Sequence, residues 1–373
     1  MKSSWKETTV GQVLQLEYGR PLDEAHRKPD GSFPVYGANG EKDHTDQYYY
    51  SKSSIIVGRK GSAGEINLTE AKFWPLDVTY FVTFDEKQYD LRFLYYLLET
   101  LNLPKLAKGV KPGINRSEVY SLAIRVPVLA EQKRIVSVLD EAFEGIESAK
   151  ANAEKNLQNA SDLFDSILQS IFGRNEKDWQ LKTLSEVSTT FGRGKSKHRP
   201  RNAPYLYGGK YPFIQTGDIR NADHVISEYS QTYSEAGLAQ SKLWPKGTIC
   251  ITIAANIAET AILGFDACFP DSVIGMVVNP READTGFIEY LLQSFKAVLQ
   301  AKGKGSAQDN INLGTFEDER FPFPTVKKQK EIVLKLDELR ETVRKLESVY
   351  KQKLSALKEL RKSLLHQAFT GQL

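Results

Sequence analysis

The side chains of this 373-residue sequence that are best suited to bind a ligand form a cationic cluster in one loop-like segment. Residues 191–210 contain six lysines or arginines and one histidine but no acid, and Gly, Pro, Asn and Tyr lie between them. Uncompensated positive charge in a loop is typical of a surface that binds nucleic-acid phosphates, and the alternative is a solvated basic loop without a ligand. The residues predicted to contact nucleic acid here are Arg193, Lys195, Lys197, Arg199 and Arg201.

A smaller basic cluster lies in the first half of the chain. Lys108, Lys111 and Arg116 surround two glycines and a proline, which again indicates a cationic loop. The corresponding segment of the second half is partly amide in character, and its predicted contacts are Lys302, Lys304, Gln308 and Asn310. The net charge of the whole chain is only +3, so the prediction of nucleic-acid binding depends on these local clusters.

Sequence-specific binding also needs side chains that reach base edges. Arginine pairs well with guanine, and asparagine or glutamine pairs well with adenine. The alternative role for most such residues is to stabilise a turn or to contact a phosphate. Tyr36 and Gln215 follow the similar strand segments FPV and PFI, so they are expected at corresponding positions. The candidates are Arg20, Tyr36, Asn39, Arg59, Lys60 and Asn115 in the first half, and Arg193, Gln215, Asn256, Gln308 and Asn310 in the second.

Catalytic patterns are weak in this sequence. The segments GRKGSAG and KGKGS lack the spacing of a phosphate-binding loop, and no S-adenosylmethionine signature is present. A nuclease-like set of Asp30, Glu70 and Lys72 has no equivalent in the second half, so chance explains it. The five histidines are scattered and form no metal-ligand pattern. We therefore predict no catalytic residue and no metal site, and we expect Cys250 and Cys268 to be buried free thiols.

The chain consists of two copies of one pattern, residues 5–174 and 179–373. The segment WKETTVGQV returns as WQLKTLSEV, and FLYYLL from Phe93 returns as FIEYLL from Phe287. The match is closest where PVLAEQKRIVSVLDE from Pro127 aligns with PTVKKQKEIVLKLDE from Pro324, at a constant offset of 197 residues. A repeat of this length indicates a duplicated domain.

Each copy combines a globular part with a closing helix. Short β-branched or aromatic runs such as SSIIVG, VTYFVTF, GTICITI and VIGMVV lie between turn residues, and a single helix is predicted near Leu91 and again near Gly286. The prediction is an α+β fold in which two tandem domains have mixed, mostly antiparallel sheets. The predicted boundaries are 1–130 and 175–326 for the globular domains, and 131–174 and 327–373 for the helices.

Apolar residues recur every three or four positions along both closing helices, as in a coiled coil, and Arg361 alone breaks the stripe. The first helix has a net charge of −3 and the second of +6, which favours pairing of one with the other and leaves their relative direction open. The alternative is that each helix lies on its own domain. The residues predicted to pair the helices are Ile135, Leu139, Ile146, Leu157 and Phe164, with Ile332, Leu336, Val343, Leu354 and Leu364.

Several segments carry a family resemblance. FPVYGANG, IIVGRKGSAGEI, FWPLDVTYFV and PVLAEQKRI in the first copy, with YPFIQTGDI, GTICITIAANIAETAIL and SLLHQAFTGQL in the second, resemble the specificity subunit of Type I restriction-modification systems, HsdS. The resemblance covers nearly the whole chain. It implies two target-recognition domains, each reading one half of a bipartite, asymmetric site in double-stranded DNA, and an antiparallel helix pair that sets the spacing between them.

The resemblance also implies partners. The helices would dock two copies of the methyltransferase subunit HsdM, which can in turn join the motor and nuclease subunit HsdR. The chain itself would be non-catalytic and without cofactor, and S-adenosylmethionine and ATP would bind to the partner subunits. The sequence has no apolar run of membrane-spanning length, so a cytoplasmic location is expected.

Two departures from the family pattern stand out. Lys328 occupies the position of Glu131, and residues 254–258 lack the glycines of the loop at 58–64, which predicts that the two copies do not contact DNA through equivalent loops. Other hypotheses are a non-specific nucleic-acid adaptor with a coiled coil, and a stand-alone nuclease that uses Glu70.

Overall fold

The computed structural model describes residues 5–69, 72–173, 178–197, 200, 202–254, 257–304, 311, 313–317 and 319–373. The chain divides into two compact units. Unit 1 comprises residues 1–154 and 351–373, and unit 2 comprises residues 155–350. Each long helix contributes residues to both units, so the division between the units falls within the helices.

The first copy is built from short strands and a single covering helix, and it ends in a long helix. Strands β2, β8, β5 and β6 form an antiparallel sheet in that order, strands β4, β3 and β7 form a second sheet in which β3 and β7 are parallel, and β1 pairs with β9. The elements are β1 (Lys6–Thr9), α1 (Val10–Val13), β2 (Leu14–Tyr18), β3 (Phe33–Gly37), β4 (Gly40–Thr45), β5 (Ser54–Gly58), β6 (Ile66–Thr69), β7 (Trp74–Pro75), β8 (Thr79–Phe84), α2 (Leu91–Thr100), α3 (Arg116–Tyr120), β9 (Ala123–Val126) and α4 (Leu129–Phe172).

Strand β5 shows how this sequence forms the core of unit 1. Successive side chains of a strand point to opposite faces. Ile55 therefore packs in the main core with residues of α2, whereas Ile56 packs with Phe73 and Phe81 on the other face. Since both faces are covered, all five residues of β5 are buried. The helix α2 begins at Leu91, as predicted, because the carboxylate of Asp90 accepts a hydrogen bond from the Phe93 amide.

The second copy repeats this arrangement and extends it. Strands β11, β19, β16 and β17 correspond to β2, β8, β5 and β6, and β13 adds a parallel fifth strand. A second sheet has the order β14, β12, β18 and β15, and β10 pairs with β20. The elements are β10 (Gln180–Lys182), β11 (Ser188–Arg193), β12 (Tyr207–Phe213), α5 (Thr216–Asn221), β13 (Val225–Ile226), β14 (Gln231–Tyr233), α6 (Glu235–Ala239), β15 (Leu243–Trp244), β16 (Ile249–Thr252), β17 (Thr260–Leu263), β18 (Ala267–Cys268), β19 (Val273–Val278), α7 (Thr285–Lys304), α8 (Leu313–Glu317), β20 (Phe321–Phe323) and α9 (Val326–Thr370).

The predicted fold class is therefore confirmed. Most strand pairs are antiparallel, and parallel pairs occur at β3 with β7, β12 with β18 and β13 with β17. The turn GANG closes the hairpin between β3 and β4, where Gly37 pairs with Gly40. The helix predicted near Gly286 begins one residue earlier, at Thr285.

A buried glutamine joins each long helix to its own globular part. Gln132 is fully buried, accepts a hydrogen bond from the amide of Asp90 and donates to the carbonyl of Pro127. Gln329, at the corresponding position of the repeat, makes the same bonds to Asp284 and Pro324. In the repeated segment that opens each long helix, this glutamine is the residue that packs in the core. The residue before it, Glu131 or Lys328, lies nearer the surface. The exchange of Glu131 for Lys328 therefore leaves the joint unchanged.

The long helices contribute to the cores of both units. In unit 1, the start of α4 packs with the end of α9, and their direction is antiparallel because Arg134 bonds the Leu373 carbonyl oxygen while Phe143 contacts Arg361. In unit 2, the end of α4 shares a core with the start of α9. Of the predicted pairing residues, Ile135, Leu139, Ile146, Phe164, Ile332, Leu336 and Val343 are buried, and Leu157, Leu354 and Leu364 are half-buried.

The apolar stripe predicted for the second long helix includes Leu346, but the structure does not bury this residue. Leu346 is 40% exposed and belongs to neither core. The step of three residues from Val343 turns the helix by only about 300°, which moves Leu346 away from the buried face. The coiled-coil pairing of the complete helices stays a prediction, and the contacts within each unit are those stated above.

The described part of the chain contains no helix that is both long enough and apolar enough to cross a membrane. Nor do its His, Cys, Asp and Glu side chains form a cluster suited to a metal ion. Cys250 and Cys268 are buried and free, as predicted, and burial raises the pKa of both thiols.

Candidate nucleic-acid interface

In unit 1, two basic segments that are far apart in sequence lie side by side. The amide of Gly61 donates to the carbonyl of Pro112 at 2.9 Å, and the amide of Ile114 donates to the carbonyl of Arg59 at 3.1 Å. Lys108 and Gly113 close the second segment with a reciprocal pair of hydrogen bonds. We call the resulting surface the first basic edge, and it consists of Tyr18, Arg20, Arg59, Lys60, Lys108, Lys111 and Arg116.

Tyr18 lies at the centre of the first basic edge. Its ring is 5.4 Å from the Arg59 guanidinium and 5.2 Å from the Arg116 guanidinium, and the residue is 49% exposed. The ring of Tyr80 packs 5.1 Å from that of Tyr18, and burial, followed by the neighbouring Tyr18, raises the pKa of Tyr80 to about 12. Two cations on one aromatic ring form a fixed positive surface that an anion can approach.

The two arginines are held by backbone carbonyls. The Nε and Nη2 groups of Arg59 donate to the carbonyl of Asp77 at 3.0 and 2.5 Å, and the Nη1 group of Arg116 donates to the carbonyl of Leu16 at 3.3 Å. A guanidinium has five N–H groups. A carbonyl can therefore fix the orientation of the guanidinium, and other N–H groups of the same side chain can still donate to a phosphate or a base edge.

Arg20 follows a glycine that no other residue can replace without displacement of the backbone. A Cβ atom at Gly19 would overlap the carbonyl oxygens of Pro75 and Leu76. The Gly19 amide donates to the Thr79 carbonyl at 3.1 Å, which places Arg20 next to the strand that also positions Arg59. The exposed Arg20 guanidinium lies 4.8 Å from the ring of Tyr49.

The remaining candidates of unit 1 differ in their surroundings. Asn115 caps α3 by accepting a hydrogen bond from the Ser117 amide at 2.9 Å, which is the turn-stabilising role that the sequence left open. Tyr36 is half-buried against the ring of Phe73. Asn39 is exposed in the turn between β3 and β4. The Lys108 ammonium pairs with Glu118 at 2.5 Å, and Lys60 and Lys111 are exposed.

In unit 2, Gly194 corresponds to Gly19. The Gly194 amide donates to the carbonyl of Val273, and a Cβ atom would overlap the carbonyl oxygens of Phe269 and Pro270. Lys195 follows this glycine as Arg20 follows Gly19, and Arg193 precedes it at the position of Tyr18. The same close approach of backbone therefore presents charged side chains in both copies.

We call the surface around Gly194 the second basic edge, and it consists of Arg193, Lys195, Lys197 and Lys242, with the buried ring of Trp244 packed against Lys242. The Nε of Arg193 donates to the carbonyl of Asp271 at 2.8 Å, and the hydroxyl of Ser241 donates to the carbonyl of Lys195. The Lys242 ammonium lies 3.5 Å from the centre of the Trp244 ring. Burial, and then the charge of Lys195, lower the pKa of Lys242 below its usual value.

The described ends of the loop at 253–258 make the same backbone hydrogen bonds as the ends of the loop at 59–64. The amide of Gly64 donates to the carbonyl of Gly58, and the amide of Ala258 donates to that of Thr252. Gly64 and Ala258 both have positive φ angles, of 88° and 61°. The replacement of Gly64 by Ala258 therefore leaves this end of the loop unchanged.

The side chains of these two loops differ completely. Ile253 takes the place of Arg59, because its amide bonds the carbonyl of Ser272 as that of Arg59 bonds the carbonyl of Val78. Ile253 is 2% exposed, and Ala254 follows it where Lys60 follows Arg59. The described ends of the second loop thus match the first loop in their backbone hydrogen bonds but lack its charged side chains.

The expected correspondence of Tyr36 and Gln215 is wrong by one residue. Val35 and Phe213 hold the same position against the parallel strands β7 and β18, so Gln215 lies one residue beyond the level of Tyr36. Its backbone caps α5 by donating to Asp218 at 2.8 Å, and its side chain donates to Gln231 at 2.6 Å. The correct alignment places Pro34 with Pro212, so that FPV corresponds to YPF and not to PFI.

Several predicted contacts lie outside the described residues, namely Arg199, Arg201, Asn256, Gln308 and Asn310. Lys302 and Lys304 lie at the end of α7, and their side chains are also outside the described part. Conversely, Tyr18, Lys242 and Trp244 belong to the basic edges and were not singled out from the sequence. The sequence signal that could have indicated these edges is the pair of tripeptides Tyr-Gly-Arg at 18–20 and Arg-Gly-Lys at 193–195.

A sequence model for the Type I restriction modification DNA specificity domain matches residues 2–157 and 176–356, which is most of the chain and both copies. Among curated proteins, the chain is 23% identical to a putative type I specificity subunit of Mycoplasma pneumoniae, with 88% of each chain covered. It is 22% identical to the Escherichia coli Type I restriction enzyme EcoDI specificity subunit, with 99% of this chain and 88% of that protein covered.

Solved structures show the same fold. One chain of a structure that concerns complex assembly and conformational transition of the type I R-M system is similar over 100% of both chains, with a TM-score of 0.80 and 18% identity. The HsdS subunit from Thermoanaerobacter tengcongensis is similar over 99% of this chain and 97% of that one, with a TM-score of 0.60 and 18% identity. The two matched domains and these similarities establish that the chain belongs to the Type I restriction-modification DNA specificity family.

Proposed function

We propose that this chain is the DNA-specificity subunit of a Type I restriction-modification complex, in which each copy reads one half of a bipartite, asymmetric site. The observation that carries the proposal is the repeated edge at Gly19 and Gly194, where one backbone arrangement presents two different sets of cationic side chains. The names of the relatives agree with this role. Different side chains on equivalent backbones are what two different half-sites require.

The first basic edge suits both tasks of a DNA-reading surface. Exposed lysines such as Lys60 and Lys111 supply charge that binds phosphates in any sequence. Arg59 and Arg116 are different, because carbonyls and the Tyr18 ring fix their orientation. A fixed guanidinium can select a base by paired hydrogen bonds, since its geometry matches the two acceptors on guanine. We therefore assign sequence reading in unit 1 chiefly to these two arginines.

The long helices are proposed to pair along their length and to set the distance between the half-sites. Leu163 on α4 and Leu360 on α9 occupy corresponding positions of the repeat and are 48% and 47% exposed. Apolar groups repeated at equivalent positions suit two copies of the same partner. We propose that they form part of the docking surface for two methyltransferase subunits, HsdM, to which the nuclease subunit HsdR can be added.

Docking can be tested by co-purification of the chain with its methyltransferase. The variants Leu163→Asp and Leu360→Asp should each reduce the number of bound methyltransferases from two to one, because a charge would enter an apolar contact. Glu154→Asp is an exposed control on the same helix as Leu163. Two bound methyltransferases on both variants would contradict the assignment of this surface. The buried-side variants Leu157→Asp and Leu354→Asp should instead weaken the helix pair itself.

The proposed function is tested by selecting sites from randomised duplex DNA with the chain and its methyltransferase partner. Two short motifs at a fixed spacing are the expected result. Binding that weakens with salt and shows no motif would replace the proposal by a non-specific adaptor. Exchange of the globular part of the second copy should then change one motif only.

The proposal assigns no reaction to this chain. Methyl transfer and ATP-driven steps would belong to the partner subunits, together with S-adenosylmethionine and ATP. The purified chain alone should neither methylate nor cleave DNA that contains the selected site. Metal-dependent cleavage that disappears in Glu70→Ala would support a nuclease instead, although Glu70 lies outside the described residues.

A further inference from the structure

We infer that two cation–π contacts, one in each unit and each between an aromatic ring of α4 and an arginine of α9, make the long helices pair as unlike partners rather than as like ones. In unit 1, the Arg361 guanidinium of α9 lies 4.6 Å from the ring centre of Phe143 on α4. In unit 2, the Arg340 guanidinium of α9 lies 4.7 Å from the ring centre of Phe164 on α4. Both contacts join α4 to α9.

The four residues form two corresponding pairs of the repeat. At the offset of 197 residues, Phe143 corresponds to Arg340 and Phe164 corresponds to Arg361. The helix α4 therefore has an aromatic ring at both positions and α9 has a cation at both. Arg361, which breaks the apolar stripe in the sequence, is the counterpart of Phe164 and not an isolated irregularity.

Hydrogen bonds from the globular part of each unit fix the two cations. Arg361 binds both carboxylate oxygens of Glu99, and its Nη2 lies 3.0 Å from Oε2. Arg340 donates to the side-chain oxygens of Asp223 at 2.6 Å and Gln293 at 2.7 Å. Glu99 and Gln293 occupy corresponding positions after FLYYLL and FIEYLL. The arginines are thus held over the rings, and 30% of the Arg361 side chain and 15% of the Arg340 side chain remain exposed.

Pairing of like helices would replace these contacts with unfavourable or weaker ones. Two α9 helices in the same antiparallel register would bring Arg340 against Arg361, and partly buried like charges repel. Two α4 helices would bring Phe143 against Phe164, which is apolar but lacks the attraction of a cation to a ring. The unlike pair is the arrangement that keeps both cations and both rings in contact. It adds position-specific selectivity to the overall charge difference of the helices.

A double-mutant cycle on the full chain tests the contact. Phe143→Leu and Arg361→Met are made singly and together, and the equilibrium constant of unfolding is measured in urea. We expect the two losses to be non-additive by roughly fivefold, which is the size of a partly desolvated cation–π contact. Phe143→Leu combined with Arg344→Met is the control, because Arg344 belongs to the other unit, and these losses should add. Additive losses for both combinations would overturn the inference.

Selectivity is tested by chain exchange. Two differently tagged full-length chains are co-expressed, and the fraction of one tag captured with the other is measured. Arg340→Phe with Arg361→Phe makes α9 resemble α4, so mixed capture should rise several-fold above that of the unmodified chain. Lys335→Phe with Lys358→Phe adds two rings at exposed positions of the same helix and should not raise capture to that level.

Folding of each variant is checked by circular dichroism before capture is compared. Arg340→Lys with Arg361→Lys keeps both positive charges and should exclude like pairing as the native residues do. Equal capture for the Phe and Lys variants, or for the Phe variant and its exposed control, would contradict the inference. These outcomes do not involve DNA, so they are independent of whether the proposed function is correct.

Discussion

The two basic edges share a backbone and differ in the side chains that it carries. Gly19 and Gly194 bring the chain equally close to neighbouring backbone carbonyls, and Arg59 and Ile253 hold corresponding positions in the backbone hydrogen bonds. Yet Arg59 in the first loop is replaced by the buried Ile253 in the second. The positive charge of unit 2 lies instead around Arg193, Lys195 and Lys242.

This difference shows which features of the duplicated domain are fixed by folding and which are free to change. Backbone hydrogen bonds and close packing of glycine leave few alternatives, because an unpaired buried amide or a misplaced Cβ atom costs free energy in any sequence. Side chains at the edge satisfy no such requirement. They can therefore diverge between copies, and the consequence is two surfaces suited to different ligands.

The largest effect is expected from the shared glycines. Gly19→Ala and Gly194→Ala place a Cβ atom against backbone carbonyls that cannot move independently of their strands, so each should lower the free energy of unfolding by about 2–4 kcal/mol. Site selection should show that each variant weakens recognition of a different half-site.

Gly192→Ala is the control, because an added Cβ atom there meets nothing within 4 Å in the described part of the chain. It should change stability by less than about 1 kcal/mol. An equal loss for Gly192→Ala and Gly194→Ala, measured by urea unfolding, would show that close packing at Gly194 is not the cause.

A reciprocal exchange between the loops should have unequal effects. Ile253→Arg puts an unpaired charge into the core and should destabilise unit 2 by about 3 kcal/mol. Arg59→Ile should leave stability nearly unchanged and weaken binding to the first half-site roughly tenfold, since it removes a fixed guanidinium. Thermal unfolding and DNA titration separate the two results. A stable Ile253→Arg variant with unchanged DNA binding would show that the burial of Ile253 is unimportant.

A smaller effect is expected from the aromatic centre of the first basic edge. Tyr18→Ala removes the ring that supports Arg59 and Arg116, so affinity for the first half-site should fall by about fivefold. Tyr18→Phe keeps the ring and should retain most of the affinity. Equal losses in the two variants would assign the role to the hydroxyl group, contrary to this description.

The second basic edge should show a pH dependence that comes from Lys242. Burial lowers the pKa of Lys242 in the folded chain, so this ammonium loses its proton at a lower pH than in the unfolded chain. The unfolded chain then binds more protons, and the contribution to stability rises with pH between the two pKa values. Over the same alkaline range, affinity for the second half-site should fall.

DNA titration at several alkaline pH values checks this prediction. Lys242→Arg keeps its charge over the whole range and should not show the additional fall in affinity. A profile for Lys242→Arg that equals that of the native chain would exclude Lys242 as the titrating group.

The smallest effect is expected for an exposed, paired lysine. The Lys108 side chain is 74% exposed and its ammonium pairs with Glu118, so Lys108→Ala should leave the preferred sequence unchanged. Loss of one phosphate contact should reduce the slope of log affinity against log salt by about one. A change of motif in site selection would instead show that Lys108 reads a base.

Much of the fold could be predicted because it follows from local and repeated patterns. The run SSIIVG and the spacing of apolar residues in the long helices are determined by short-range periodicity, which a single sequence displays. The roles of individual loop residues could be predicted less well from the sequence. Asn115 was a candidate base reader and is a helix cap, because the same amide group serves both purposes.

The sequence by itself determined the duplication, the α+β class, the two long helices and the family to which the chain belongs. Only the tertiary structure decided that residues 59–61 lie beside 112–114, that Tyr18 joins Arg59 to Arg116, and that Arg361 faces Phe143. The physical reason is the separation along the sequence over which each effect acts. Periodicity and propensity act over a few residues, whereas these contacts join segments about 40 to 220 residues apart, and the packing of the whole unit selects them.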